Sequence, residues 1–151
     1  MKPFDVILRS RENFIKLIDG LSLEQLNKVP EKFNNNIIWN FAHTFAAQQG
    51  LCYGLSDNPF TINPAIIEKY KKGTKPEGNV TKEDVELYKK LAIDSLHQLE
   101  TDFNNGLFTH YKTYTTSFGV ELHSVESAIQ FMTVHDGLHY GYAMALRKLV
   151  I

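Results

Sequence analysis

Two histidines near the end of the chain, His135 and His139, have the spacing of a metal-binding pair in the segment His135-Asp136-Gly137-Leu138-His139. On an α-helix, residues four apart are rotated by about 40° and separated by about 6 Å along the axis. Both imidazoles therefore lie on one face, where adjacent turns can bind a single metal ion. The pair falls within a predicted apolar stripe of spacing 3,4,3,4: Val125, Ala128, Met132, His135, His139, Tyr142, Leu146 and Leu149. Buried neutral imidazoles need partners for their nitrogens, and a metal ion would supply one.

A third histidine, His43, lies on the apolar stripe of an earlier predicted helix. That stripe consists of Trp39, His43, Ala46, Gly50 and Tyr53. Small residues on the same helix would let a partner helix approach closely and leave room beside His43. Three imidazoles leave a fourth coordination position for water, as in catalytic rather than structural zinc sites. The same ligands also suit nickel, iron or copper.

The alternative for each histidine is a core residue whose nitrogens are satisfied by hydrogen bonds within the protein. A pair on one stripe and a third histidine on another favour a metal site over that alternative. His97, His110 and His123 lie beside a stripe or near loops and are interpreted as solvated residues. Cys52 follows His43 by nine residues, which places it on the opposite side of the helix. We interpret it as a small packed hydrophobe rather than a ligand.

Asp136, between the two paired histidines, has two interpretations. It could orient an imidazole or a bound water, which makes it a candidate for assisting catalysis. It could equally be a solvated carboxylate on the outer face of the helix. The segment also invites comparison with the His-Glu-x-x-His motif of zinc proteases. Asp136 is shorter than the glutamate of that motif and no histidine follows His139, so the sequence disfavours a protease.

Three further residues flank the histidines on their helices. Asn40 lies one turn before His43 and is expected either to orient that imidazole or to lie near the helix cap. Trp39 and Tyr142 are interpreted as core residues rather than substrate contacts, although the mouth of a site can use the same residues for both.

The composition predicts a single domain over residues 1–151. The chain is 43% hydrophobic and 22% charged, with a formal net charge of −1. A balanced charge without a basic face argues against nucleic acid as a partner. No apolar run approaches the roughly 20 residues of a membrane span, and the N-terminus lacks the apolar core of a signal peptide. The single cysteine fits a reducing cytoplasm.

Apolar periodicity predicts four long helices, over residues 4–18, 37–54, 81–103 and from 124 onward. The first has a stripe of Phe4, Ile7, Leu8, Arg11, Phe14, Ile15 and Ile18. Short helices are expected after Ser22 and between Asn63 and Gly73, inside the connections. Residues 111–122 allow a brief extended segment, but no sheet is predicted. The expected fold is all-α, a four-helix bundle with short helices in its crossovers, and such bundles hold metals in their cores.

Three motifs in order resemble the DinB/YfiT-like superfamily, and the resemblance covers nearly the whole chain. They are Ile38-Trp39-Asn40-Phe41-Ala42-His43, Tyr70-Lys71-Lys72-Gly73-Thr74-Lys75-Pro76 and His135-Asp136-Gly137-Leu138-His139-Tyr140-Gly141. The resemblance implies an up-down-down-up bundle in which His43, His135 and His139 hold a divalent metal, usually zinc or nickel. It also implies homodimers.

Three functions remain open at this level. The leading hypothesis, which the resemblance favours, is a metal-dependent transferase that joins a low-molecular-weight thiol to an electrophile, with a small-molecule substrate. The second is a hydrolase in which the same metal activates water near neutral pH. The third is a non-catalytic, stress-induced protein that binds a metal or a small molecule.

Overall fold

The computed structural model describes residues 1–151, and its main elements are helices. They are α1 (Pro3–Asp19), α2 (Leu23–Asn27), α3 (Ile37–Gln48), α4 (Pro64–Tyr70), α5 (Lys82–Asn104) and α6 (Val125–Val150). A π-helical turn (Gln49–Tyr53) and a 3-10 turn (Gly54–Ser56) continue α3. Two short strands, β1 (Tyr114–Thr115) and β2 (Glu121–Leu122), pair antiparallel before α6. No helix combines the length and the apolarity that crossing a bilayer requires.

Three of the four long helices begin where a side chain accepts a hydrogen bond from a first-turn N–H group, whereas α1 begins at Pro3 without a side-chain cap. Asn36 accepts a hydrogen bond from the third residue of α3. Thr81 and Asp84 form a capping box at the start of α5, and Ser124 forms another with Ser127 at the start of α6. Each of these caps is a local signal in the sequence, so it marks the start of α3, α5 or α6 in addition to the apolar periodicity that predicts the helix.

The four long helices pack into a bundle in which α1 and α3 each lie against both α5 and α6. α1 and α6 run in one direction, and α3 and α5 run in the other. The contacts Arg11–Asp136 and Phe14–Tyr140 show that α1 and α6 are parallel. Phe45–Tyr88 and Gln48–Ser95 show the same for α3 and α5. Phe14–Phe41 and Arg11–Gln48 show that α1 and α3 are antiparallel. This is the up-down-down-up order that the resemblance implied, so the predicted fold is confirmed.

The core consists of two apolar clusters with a buried polar layer between them. The larger includes Phe14, Ala46, Ala92 and Ala143, and the smaller includes Ile7, Cys52, Leu96 and Met132. Arg11, Gln48 and Asp136 lie between these positions on their helices, and none is more than 1% exposed. A charged pair inside the bundle is therefore part of the fold itself.

The predicted core stripe of α6 is wrong at two positions of its second half, although Leu146 is buried as predicted. Tyr142 and Leu149 are 38% and 49% exposed, whereas Ala143 and Val150 are buried in their place. The predicted spacing averages 3.5 residues, and a straight helix has 3.6 per turn, so the stripe drifts by about 20° per heptad. Over the length of α6 that drift carries the stripe out of the core.

Two local features differ from prediction next to the third histidine. α3 ends at Gln48, and the predicted remainder of that helix winds as the π-helical turn Gln49–Tyr53. A small sheet forms where none was predicted, with Tyr114 opposite Leu122. Its turn uses Gly119 at φ 76°, a left-handed conformation that glycine adopts without strain. Both features line the cavity described below.

Candidate metal centre

The structure brings together His43 from α3 with His135 and His139 from α6. One ligand nitrogen from each lies within 4.8 Å of the other two. The three ring centroids are 4.6–5.1 Å apart. His43 is 5% exposed, and the other two are partly buried. The three histidines singled out in the sequence are thus neighbours in space.

His43 is fixed by the crossover that contains α4. Its Nδ1 lies 2.7 Å from the Tyr70 carbonyl oxygen. Because a carbonyl only accepts hydrogen bonds, Nδ1 carries the proton and Nε2 keeps its lone pair. The Trp39 indole stacks on the imidazole at 4.8 Å, and its Nε1 donates to the Thr74 hydroxyl. These contacts therefore fix the orientation of the His43 ring and its Nδ1–H tautomer before any ligand binds.

Asn40 orients His139 rather than His43, so the first of its two predicted positions is wrong, whereas its bond to the N-cap residue Asn36 confirms the second. Its Oδ1 lies 2.9 Å from His139 Nδ1. Its Nδ2 donates to the Asn35 side chain and to the Asn36 carbonyl, which identifies the oxygen as the atom facing the imidazole. His139 Nδ1 therefore donates the proton, and its Nε2 lone pair is free. Spacing within one helix could not show this contact, because it crosses from α3 to α6.

His135 is the third member of the cluster. One of its ring nitrogens lies near His43, and the other has no hydrogen-bond partner. Its Nε2 lies 3.2 Å from His43 Nε2. Its Nδ1 is buried with no hydrogen-bond partner and lies 3.6 Å from Asp136 Oδ1, which also has none. That distance is too long for a hydrogen bond, yet a slight ring rotation would form one. The carboxylate would then hold the proton on Nδ1 and leave Nε2 as a ligand.

The donor set fits a divalent ion. Nitrogens about 2.0–2.1 Å from a tetrahedral zinc lie about 3.3 Å apart, close to the 3.2 Å between His43 and His135. The widest ligand-atom separation, 4.8 Å, requires a small inward rotation of a ring. Lone pairs at these distances repel one another unless a proton or a cation lies between them. Three neutral nitrogens suit zinc and nickel alike.

Asp136 is not a solvated carboxylate on the outer face of α6, so that interpretation is wrong. It is 1% exposed, and its Oδ2 accepts a 2.9 Å hydrogen bond from Arg11 Nε. A solvent-exposed carboxylate at this position would require α6 to be rotated so that Asp136 faces away from α1. Instead the parallel packing of α1 on α6 places Arg11 against it. Its other oxygen faces His135, in keeping with the orienting interpretation.

Arg11 connects the site to all four long helices. Besides Asp136 on α6, its Nη1 donates to Gln48 Oε1 on α3 at 2.8 Å and to the Ala92 carbonyl on α5 at 2.7 Å. Gln48 in turn donates to the Ser95 carbonyl. The sequence placed Arg11 on the apolar stripe of α1 but assigned it no role. An arginine within an apolar stripe was the available signal of a buried ion pair.

Burial sets the protonation of the site. Desolvation lowers the pKa of His43 to about 4. Desolvation, with the neighbouring imidazoles, lowers the pKa of His139 to about 3. Burial opposes ionisation of Asp136, but the Arg11 guanidinium outweighs it and holds the pKa of that carboxyl below its usual range. At neutral pH His43 and His139 are therefore unprotonated, and Asp136 is ionised.

A cavity of about 330 Å³ opens beside the histidines, with His43 and His135 in its wall. Small residues of α3 and its π-helical turn make room for it, among them Ala46, Ala47 and Gly50. Its apolar wall comprises Leu51, Leu55, Phe60, Ile67 and Phe131, and its polar residues include Glu68, Lys71, Lys72, Thr116 and Ser117. The cavity gives a small molecule access to two of the three histidines.

The other residues discussed from the sequence lie outside the cluster. His97, His110 and His123 are exposed, as predicted. Cys52 is fully buried with its Sγ 3.7 Å from the Met132 sulfur, and burial raises the pKa of its thiol to about 12. The prediction that it is a packed hydrophobe is confirmed.

The two aromatic residues predicted for the core behave differently. Trp39 is 6% exposed and belongs to the larger apolar cluster, as predicted. Tyr142 contacts Phe33 edge-on but is 38% exposed, so its assignment to the core is wrong.

A helical bundle in which three imidazoles from two helices converge defines a class of bundle proteins equipped to bind a metal. The family model of the DinB superfamily matches residues 7–143. The chain therefore belongs to the DinB superfamily. Among curated proteins, none matches it.

Proposed function

We propose that this protein is a metal-dependent transferase that joins a low-molecular-weight thiol to an electrophile. His43, His135 and His139 would hold the divalent ion, zinc or nickel. The observation that carries the proposal is the convergence of three imidazoles, two of which, His43 and His135, line a largely apolar cavity. A divalent ion held by these histidines would lower the pKa of a bound thiol and so favour its thiolate form.

The chain's own residues position and shield the reaction. The Tyr70 carbonyl and the Asn40 amide fix the ligand nitrogens. Apolar side chains such as Phe131 exclude water from the cavity beside them. The thiol sulfur forms a bond to the electrophilic carbon, the leaving group departs with its electron pair, and the thiol proton passes to solvent.

No protein nucleophile is needed for this reaction. The only cysteine, Cys52, is fully buried, and its thiol pKa is raised to about 12. It does not line the cavity. A nucleophile supplied by a co-substrate is therefore consistent with the residues present.

The test is to load the protein with zinc or nickel and to supply cysteine or other small thiols with 1-chloro-2,4-dinitrobenzene. We expect conjugation that depends on the metal and is lost in His139→Ala. The matched control is His97→Ala, which removes an exposed histidine outside the cluster. Conjugation no faster than in metal-free protein with every thiol would overturn the proposal.

A metal-dependent hydrolase is the second candidate, because the same cavity could admit water to the histidines. Asp136 would be the first residue to consider for proton transfer. Its burial and its bond to Arg11 weigh against that role, and it does not line the cavity. Ester or amide turnover without added thiol would favour the hydrolase. Metal or ligand retention with no turnover in either assay would favour a non-catalytic, stress-induced binding protein.

We propose that two copies of the chain pair through an exposed apolar face of α6. The face comprises Val134, Leu138, Tyr142, Ala145 and Leu149, and the three aliphatic members with larger side chains are each about half exposed. Exposed apolar patches of this kind mark interaction sites. Leu138→Glu should convert a dimer to a monomer in light-scattering measurements, whereas Leu87→Glu on α5 should not. A wild-type monomer at micromolar concentration would contradict the pairing.

We also propose a cytoplasmic location. The lone, buried Cys52 and a thiol co-substrate both fit a reducing compartment. Cell fractionation with a tagged chain tests this, and recovery in a membrane or extracellular fraction would contradict it.

A further inference from the structure

The cavity beside the histidines is chemically uneven. The wall contains apolar side chains, including Leu51, Phe60 and Phe131. Two exposed lysines, Lys71 and Lys72, which directly follow α4, also line the cavity. A ligand that fills it meets both an apolar surface and positive charge.

The charged residues that line the cavity carry a net positive charge. Lys71 Nζ lies 2.7 Å from Glu68 Oε2, so that ammonium already has a counter-ion. Lys72 forms no ion pair with any carboxylate of the chain. Glu68 is the only carboxylate among the lining residues. One positive charge is thus left over, and a divalent ion at the histidines would add to it.

Two hydroxyl side chains extend the polar side of the cavity. Thr116 and Ser117 come from the turn of the β-hairpin, and Ser117 forms no side-chain hydrogen bond within the chain. Hydroxyls and an unpaired ammonium are donors that suit an oxyanion. An apolar ligand without charge would leave them solvated and would gain nothing from them.

We propose that the electrophilic co-substrate is an amphipathic anion, an apolar body carrying one carboxylate or similar group. The apolar body packs against Phe60 and Phe131, and the anionic group pairs with Lys72. This inference rests on the proposed transferase function, which it makes specific for one class of electrophile. Lys72 rather than Lys71 is the specificity residue because Glu68 already neutralises Lys71.

The binding test uses a matched pair of probes, 4-phenylbutyrate and its neutral isostere 4-phenylbutanamide. Affinities are measured in metal-free protein, without thiol, by titration calorimetry or NMR. We expect the anion to bind about two- to five-fold more tightly than the amide at low salt, the range of an exposed ion pair. The preference should disappear in Lys72→Gln and reverse in Lys72→Glu.

Two controls separate local pairing from general attraction. Lys28→Gln removes the same charge from an exposed residue outside the cavity and should leave the preference unchanged. Phe131→Ala should weaken both probes equally, because it removes apolar contact only. Equal binding of the two probes to the wild-type protein would overturn the proposal. Loss of the preference in Lys28→Gln as in Lys72→Gln would overturn it as well.

A kinetic test links the inference to catalysis. Zinc-loaded protein is given a small thiol with 4-(chloromethyl)benzoate or 4-(chloromethyl)benzamide. Lys72→Gln should raise KM for the benzoate, with kcat and the benzamide kinetics unchanged. Absent conjugation with intact anion preference in the binding test would refute the transferase alone. Conjugation with equal kcat/KM for the two electrophiles would refute the substrate class alone.

Discussion

Removing Arg11 is the most informative perturbation of this protein, because it leaves a carboxylate charged and enclosed. Arg11 and Asp136 are each 1% exposed and are joined at 2.9 Å. In Arg11→Met the methionine fills much of the space, but Asp136 loses its only counter-ion. The Gln48 amide oxygen and the Ala92 carbonyl lose a donor in the same step.

The expected loss of stability follows from these contacts. Breaking a buried ion pair by removing one partner costs about 3–5 kcal/mol. A buried acceptor left without its donor costs about 1–3 kcal/mol, although Gln48 can relax. We therefore expect Arg11→Met to lower the free energy of unfolding by about 4–5 kcal/mol. Domains of this size have about 5–15 kcal/mol in total, so the variant should be only marginally stable.

The assay is urea unfolding of metal-free protein at pH 7, followed by circular dichroism. Arg11→Met is compared with Asp136→Leu and with the double variant, in which neither charge remains. The double variant should be more stable than the sum of the single losses predicts, by about 2 kcal/mol or more. A loss below about 1 kcal/mol for Arg11→Met, or strict additivity, would refute the argument that this pair stabilises the bundle.

Three further outcomes follow from the same geometry. His43→Ala should abolish zinc binding in calorimetry yet keep the helical circular dichroism; unfolding at room temperature would show that the site is structural. The pKa of His43 falls from 6.5 to about 4 on folding, so the unfolded chain binds the extra proton between those values and His43 alone should cost metal-free protein about 3 kcal/mol of stability on acidification through that range. His43→Ala should reduce that loss without abolishing it, because the pKa of His139 is lowered too, and an unchanged profile would contradict the pKa of His43. Gly50→Leu should reduce 4-phenylbutyrate binding at least ten-fold. The loss of stability should be small, because a Cβ at Gly50 meets no atom within 4 Å. Unaltered binding would show that the probe binds elsewhere.

The parts of the site that were predictable are those encoded by spacing within one helix. His135 and His139 share a face because of the geometry of a single helical turn, whatever α6 packs against. His43 could be matched to them because it too falls on an apolar stripe. Such signals survive in the sequence, since they depend on residues a few positions apart.

The parts that were not predictable depend on how two helices are placed against each other. Asn40 is one turn from His43 on α3, yet it bonds His139 on α6. Asp136 was assigned to either of two faces, and only the approach of Arg11 from α1 decides between them. The choice of partner is set by the direction and rotation of neighbouring helices, which periodicity within one helix does not determine.

The three-histidine cluster is positioned by contacts with the rest of the fold. His43 depends on the Tyr70 carbonyl, His139 on Asn40, and His135 lies beside an aspartate tied to Arg11. Small zinc domains obtain their folding free energy from the metal. Here the apolar clusters above and below the polar layer provide that free energy, and burial keeps His43 and His139 unprotonated. The bundle therefore holds the three imidazoles together without a metal ion, in an arrangement compatible with a divalent cation.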